Sequence, residues 1–171
     1  MSKLPLVWDL SPLVPGDDSD VAFDAELAQT KQTANQFAVK WRDRSDYLAD
    51  PAILAAALKE YEELERLNGR AWPYAYLRRQ QDTRDTVTRA RLALAEKVMK
   101  EIANDLLFFT HRLARVERET QILFLKTPAL KPYRHFLERL FAAARHLLPE
   151  GEEKVVNLYS GPAADDWQRL V

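Results

Sequence analysis

From Thr86 to about Glu119, apolar residues recur as Leu94, Val98, Ile102, Leu106, Phe109, Leu113 and Val116. The steps of three and four are the spacing of one helical face, close to a coiled-coil stripe. No proline or glycine interrupts the run. A helix this long must bury its stripe against other helices. Asp82, Thr83 and Asp85 supply caps before it. A second helical pattern precedes those caps. Asp50-Pro51 pairs a cap residue with proline at the first helical position, and Leu54, Leu58, Tyr61, Leu64 and Leu67 then share a face. The pattern resumes after Asn68-Gly69 through Trp72, Tyr74, Tyr76 and Leu77 to about Gln81. The expected fold is therefore all-α. It is a helical bundle built on a long antiparallel hairpin, about 51–81 and 86–119, roughly 45 Å long at ~1.5 Å rise per residue.

Shorter helices flank the hairpin. Phe23, Leu27, Ala34, Phe37, Ala38 and Trp41 form an earlier apolar face, started by Asp17, Asp18 or Ser19. Thr127-Pro128 and Lys131-Pro132 break the chain. A helix is expected from about Pro132 to Leu147, with Phe136, Leu137, Leu140, Phe141 and Ala144 inward. Further short elements are expected over 154–159 and 163–170. In organisation, 1–20 reads as an extended leader, 21–125 as the bundle with its hairpin, and 126–171 as short helices, the whole making one lobe. Only 4 glycines occur in 171 residues, and no segment reads as a strand.

Chemistry is scarce. With 0 cysteines, disulfides, thiolate metal sites and thiol nucleophiles are excluded, and a cytoplasmic location fits. No apolar run approaches the ~20 residues of a spanning helix. His111, His135 and His146 are too far apart in sequence for two of them to share a helical face as metal ligands, and no His-Glu-x-x-His occurs. His111 is expected to be a surface or satisfied interhelical residue. The scattered glycines exclude phosphate loops, and Ser160 lacks a nucleophile elbow. Glu60, Glu62, Glu63 and Glu65 lie off the apolar face of their helix and read as a solvated stripe rather than a metal site.

Charge is distributed unevenly. Residues 1–65 carry a net −7, residues 66–118 a net +6, and the rest balance to zero. Arg78, Arg79, Arg84, Arg89 and Arg91 surround the expected hairpin tip beside Trp72, Tyr74 and Tyr76. Stacking and phosphate contacts would make this an anion or RNA site. The interruption by Asp82 and Asp85, and a helical Asp85–Arg89 pair, favour a salt-bridged tip instead. Trp72, Tyr76, Phe108 and Phe109, aromatic residues at helical spacing, are expected in the core.

Five stretches, in order, resemble the oligoendopeptidase F family of zinc metallopeptidases, in the thimet-oligopeptidase-like group. They are Trp8-Asp9-Leu10-Ser11-Pro12-Leu13, the segment Tyr61 to Thr86, Phe108-Phe109, PYRHFLERL from Pro132 to Leu140, and the acidic segment from Glu150 to the Trp167 region. One departure stands out: many relatives have an acidic residue where this chain has Thr110-His111-Arg112. The resemblance implies the N-terminal, non-catalytic helical lobe of such an enzyme, walling a cleft that admits short peptides. No catalytic, metal or cofactor residue carries over. Zinc is implied for the full-length parent only, with a catalytic domain and an oligopeptide as partners. The chain alone is expected to be inactive and prone to self-association. Neither a membrane nor a nucleic acid is an expected partner. Tyr133, Arg134, His135, Trp72, Tyr76, Arg78 and Arg79 are the candidate interface or packing residues. The alternative is a stand-alone helical interaction module using the Trp- and Arg-rich tip, or, behind it, an anion or RNA binder there.

Overall fold

The computed structural model describes residues 9–10, 12–13, 20–68, 71–157 and 159. Among the described residues up to Ala143, six α-helices follow in order: α1 Asp20–Trp41, α2 Pro51–Asn68, α3 Ala71–Gln81, α4 Thr86–Ala114, α5 Arg118–Lys126 and α6 Arg134–Ala143. Single-turn or short 3-10 segments occupy Asp46–Leu48, Pro128–Tyr133 and Ala144–His146, and residues 150–157 are again helical. No strand occurs among the described residues, so the fold is all-α. The leader, the caps proposed at 17–19 and the element proposed at 163–170 lie almost wholly outside the described residues.

The boundaries differ from the expected hairpin. The stretch expected as its first arm holds α2 and α3, and α4, over the expected second arm, stops at Ala114 rather than near 119. There Arg115 and Val116 donate their backbone N–H groups to Arg112 and Leu113, i to i−3 bonds that tighten and end the helix. Val116 therefore lies beyond α4. The stripe on α4 also differs at its start. Leu94 is 45% exposed, while Thr88, Leu92, Ala95 and Val98 are buried ahead of Ile102, Leu106, Phe109 and Leu113. Successive steps of four drift ~40° each around a helix, so three of them carry Leu94 well off the face centred on Leu106. A mixture of threes and fours, starting at Thr88, stays on it.

Caps behave as the sequence indicates. Asp50 Oδ1 accepts the N–H groups of Ala52 (2.7 Å) and Ile53 (3.3 Å). Asp85 accepts from the N–H groups of Val87 (2.9 Å) and Thr88 (3.2 Å) and from the Thr88 hydroxyl (2.6 Å). These bonds hold the Asp85 carboxyl below its ordinary value, the Thr88 hydroxyl first among them. The expected Asp85–Arg89 pair is replaced: Asp85 serves the helix start, and the Arg89 guanidinium reaches the Thr83 carbonyl at 3.5 Å. Replacing Asp85 with Ala removes this cap and should lower the thermal midpoint by about 3 °C, measured by circular dichroism.

The chain divides into two compact units. One comprises Met1–Thr33 and Glu63–Glu101, and the other Ala34–Glu62 and Ile102–Val171. In the first, Phe23 and Leu27 are buried, as are Leu64, Ala71, Tyr74, Ala75 and Leu92. Phe23 and Tyr74 meet with ring centroids 6.2 Å apart, and Arg91 lies over Phe23. The second unit is centred on Phe109. Its ring is 5.2 Å from Phe37, 5.1 Å from Tyr47 and 5.3 Å from Tyr61. Trp41 packs edge-on to Tyr47, and Phe136 from α6 reaches Tyr61.

Candidate functional site

The two groups of candidate residues fall in different units. Trp72, Tyr76, Arg78 and Arg79 belong to the first. α3 turns Ala71, Tyr74 and Ala75 inward, which leaves Trp72 and Tyr76 on the opposite side, 37% and 41% exposed. They are therefore not core residues. One helical turn apart, they stack on each other, with centroids 5.1 Å apart and planes 15° from parallel. Arg78 donates to the Gln81 side-chain oxygen at 3.2 Å, so part of the basic run is bound within its own helix.

Tyr133, Arg134 and His135 belong to the second unit. Tyr133 ends a 3-10 segment, and its hydroxyl donates to Glu62 on α2 at 3.1 Å. Burial, then the hydrogen bond and charge of Glu62, push its phenol up. Arg134 pairs with Glu138 one turn along α6 at 2.9 Å, and both are exposed. His135 is exposed, His111 is buried on α4, and His146 accepts a hydrogen bond from Arg145. Among the described residues, no three His, Cys, Asp or Glu side chains are grouped to hold a metal ion. The described residues hold no such group for the zinc that the resemblance implies for the parent.

Two interactions in this unit have no counterpart in the sequence reading. The first involves α2's acidic stripe, which is not simply solvated. Glu60 accepts from Lys40 (2.6 Å) and from the Trp41 indole N–H (3.0 Å), both on α1. Burial pulls the Glu60 carboxyl upward, but these two bonds, with the charges of Lys40 and Arg44, bring it below its ordinary value. A depressed carboxyl contributes stability that is full above its unfolded value and is lost as pH falls through its folded one. The urea midpoint of wild type should therefore exceed that of Glu60→Gln above about pH 5, and the gap should close below about pH 4.5. A gap unchanged at about pH 3 would rule this linkage out.

The second is Tyr47, buried in a 3-10 turn with no helical periodicity to announce it. Burial pushes its phenol up, and the nearby Arg112 opposes this. No hydrogen bond of acceptable geometry reaches its Oη, so the influence of Arg112 is electrostatic. Arg112 also donates to the Arg42 carbonyl and lies over the Phe108 ring with Arg42. Arg112 is thus a clamp between α4 and the end of α1.

A family model described as Oligopeptidase F, for the N-terminal region of M3 peptidases, matches residues 112–170. The group B oligopeptidase PepB of Streptococcus agalactiae is 26% identical over 87% of this chain and 24% of its own length. The plasmid-borne oligoendopeptidase F of Lactococcus lactis subsp. cremoris is 24% identical over 88% of this chain and 24% of its own. These matches support an N-terminal domain of an oligoendopeptidase F-like peptidase. The PepF oligopeptidase of Bacillus subtilis agrees, at 25% identity over 87% of this chain. A crystal structure of a candidate peptidase from Chlamydophila abortus shares the fold, with a TM-score of 0.66 and 23% identity over 91% of this chain and 26% of that one. The chain spans about a quarter of the length of the curated relatives it matches. Among its described residues no helix is long and apolar enough to cross a membrane.

Proposed function

We propose that this chain is the non-catalytic N-terminal lobe of an oligopeptide-cleaving zinc metalloendopeptidase of the cytoplasm. The lobe walls one side of the substrate cleft and limits access to short peptides. The observation that carries this reading is the match of nearly the whole chain to a quarter of several oligopeptidases. Zinc and the general base then reside in the remaining three quarters of such a protein, and the lobe's partners are that catalytic domain and the oligopeptide. Excluding folded proteins by the width of a cleft is specificity by shape, which needs a rigid helical wall and no reactive group. The aromatic packing around Phe109 supplies rigidity of that kind.

The test has two parts. The purified 171-residue chain should bind no stoichiometric zinc and cleave no quenched fluorescent oligopeptide; chelator-sensitive cleavage by it would sink the proposal. The full-length protein should cleave short unstructured peptides and spare folded proteins. A second reading, a helical interaction module, draws on the exposed Trp72–Tyr76 stack. Wild-type peptidase activity in a full-length Trp72→Ala/Tyr76→Ala variant would separate that surface from the cleft.

A further inference from the structure

In the helix at 150–157 the half-buried side chains are polar and the exposed ones include two valines. Glu150, Glu153, Lys154 and Asn157 are half-buried, whereas Val155 and Val156 are 52% and 47% exposed and Tyr159 just beyond is 69% exposed. The polar side of this helix faces α4. Asn157 donates its side-chain N–H to the Asn104 side-chain oxygen at 3.2 Å, and Arg115 donates to the Leu148 carbonyl at 3.1 Å. Glu150 is held below its ordinary value, first by the hydrogen bond from Lys154 and against burial, with His111 and Arg112 acting on it from α4. Moving from Asn157 back to Glu150 moves from Asn104 forward to His111, seven residues each way. The two helices are therefore antiparallel, in polar register.

An amphipathic helix on a protein surface normally buries its apolar stripe. Here steps of three and four put Val155, Val156 and Tyr159 together on the outer side. Isolated exposed apolar residues such as Val21 or Val39 are ordinary. An apolar stripe held outward by a hydrogen-bonded polar seat is a surface awaiting a partner.

We infer that the Val155–Val156–Tyr159 face docks the remaining body of the oligoendopeptidase F-like protein to which this lobe belongs. The inference rests on the function proposed above. Two observations select this occupant. The helix lies inside the stretch matched by the family model, 112–170, while three quarters of each relative lies outside the matched region. The patch is also small, three side chains, well short of the ~800 Å² per partner of a stable separate complex. A patch of that size holds a body on the same polypeptide, because the tether supplies a high effective concentration. It does not hold a free second copy.

The chain has 0 cysteines, so V155C and V156C introduce single reporters here. In the full-length protein, thiol labelling at each position is mapped by mass spectrometry and divided into its rate in denaturant. Partial exposure alone slows labelling about twofold; docking should slow it at least tenfold. Protection of fivefold or more supports the docked face, and less overturns it. Peptide cleavage by the same protein keeps the two readings apart. Active enzyme with unprotected thiols defeats this surface and leaves the function standing. Protected thiols in a protein that cleaves nothing defeat the function instead.

Discussion

Replacing Phe109 with Ala should destabilise the chain by about 3–5 kcal/mol and lower its thermal midpoint by roughly 10 °C or more. Phe109 is wholly buried, and its ring meets Phe37 on α1, Tyr61 on α2, Tyr47 in the turn between those helices, and its neighbour Phe108. Deleting the ring removes the transfer energy of a large apolar group and several aromatic contacts of about 0.5–1.5 kcal/mol each. It also leaves a cavity walled by side chains from three helices that cannot all collapse inward. Domains of this size have ~5–15 kcal/mol in total, so the loss is a large share. Urea unfolding followed by circular dichroism reads it directly. Phe109→Leu should lose less than half as much, because it refills most of the space. Equal losses for Ala and Leu would mean that ring geometry, not volume, holds this centre. If the lobe is a rigid cleft wall, the full-length Ala variant should also cleave longer peptides better than wild type does.

The position of Phe109 was legible in the sequence; the neighbourhood it organises was not. Helical spacing identified Phe23, Phe37, Trp41, Leu54, Leu58 and Phe109 as inward, because burial on a helix follows a fixed angular period. The same logic misjudged Trp72 and Tyr76. Their spacing of four shows only that they share a face, and the burial of Tyr74 shows that the other face is the inner one. Tyr47 was missed for the opposite reason, since a 3-10 turn of three residues offers no periodicity at all. The acidic stripe of α2 reads as solvated because it lies off the apolar face, yet Glu60 and Glu62 find partners about 20 and 70 residues away, at Trp41 and Tyr133. Pairings at such separations depend on how helices pack, which local patterns do not encode. The Tyr133 contact also gives the PYRH segment its physical role: it joins the 3-10 turn before α6 to α2.

His111 is the position where a substitution should improve the fold. It is 3% exposed, and neither ring nitrogen has a hydrogen-bond partner. The expectation of a satisfied or surface histidine therefore fails on one count each: it is buried, and it is unpaired. A buried polar group without a partner costs about 1–3 kcal/mol relative to an apolar group of the same shape. Leu has similar bulk and no polar atom, so His111→Leu should raise stability by about 1–2 kcal/mol, or roughly 4 °C. His111→Ala should lower it, since the volume is lost as well. That contrast separates polarity from packing: a histidine that anchored a hidden hydrogen bond would make both variants less stable. Activity supplies the second readout. His111 lies where α4 meets the polar side of the helix at 150–157, and among the described residues no three His, Cys, Asp or Glu side chains are grouped there or elsewhere to hold a metal ion. A full-length His111→Leu enzyme should keep its kcat and its peptide-length preference while unfolding at higher temperature. A lost preference with retained kcat would instead show that the imidazole sets how this helix sits, and with it the outward face of Val155 and Val156.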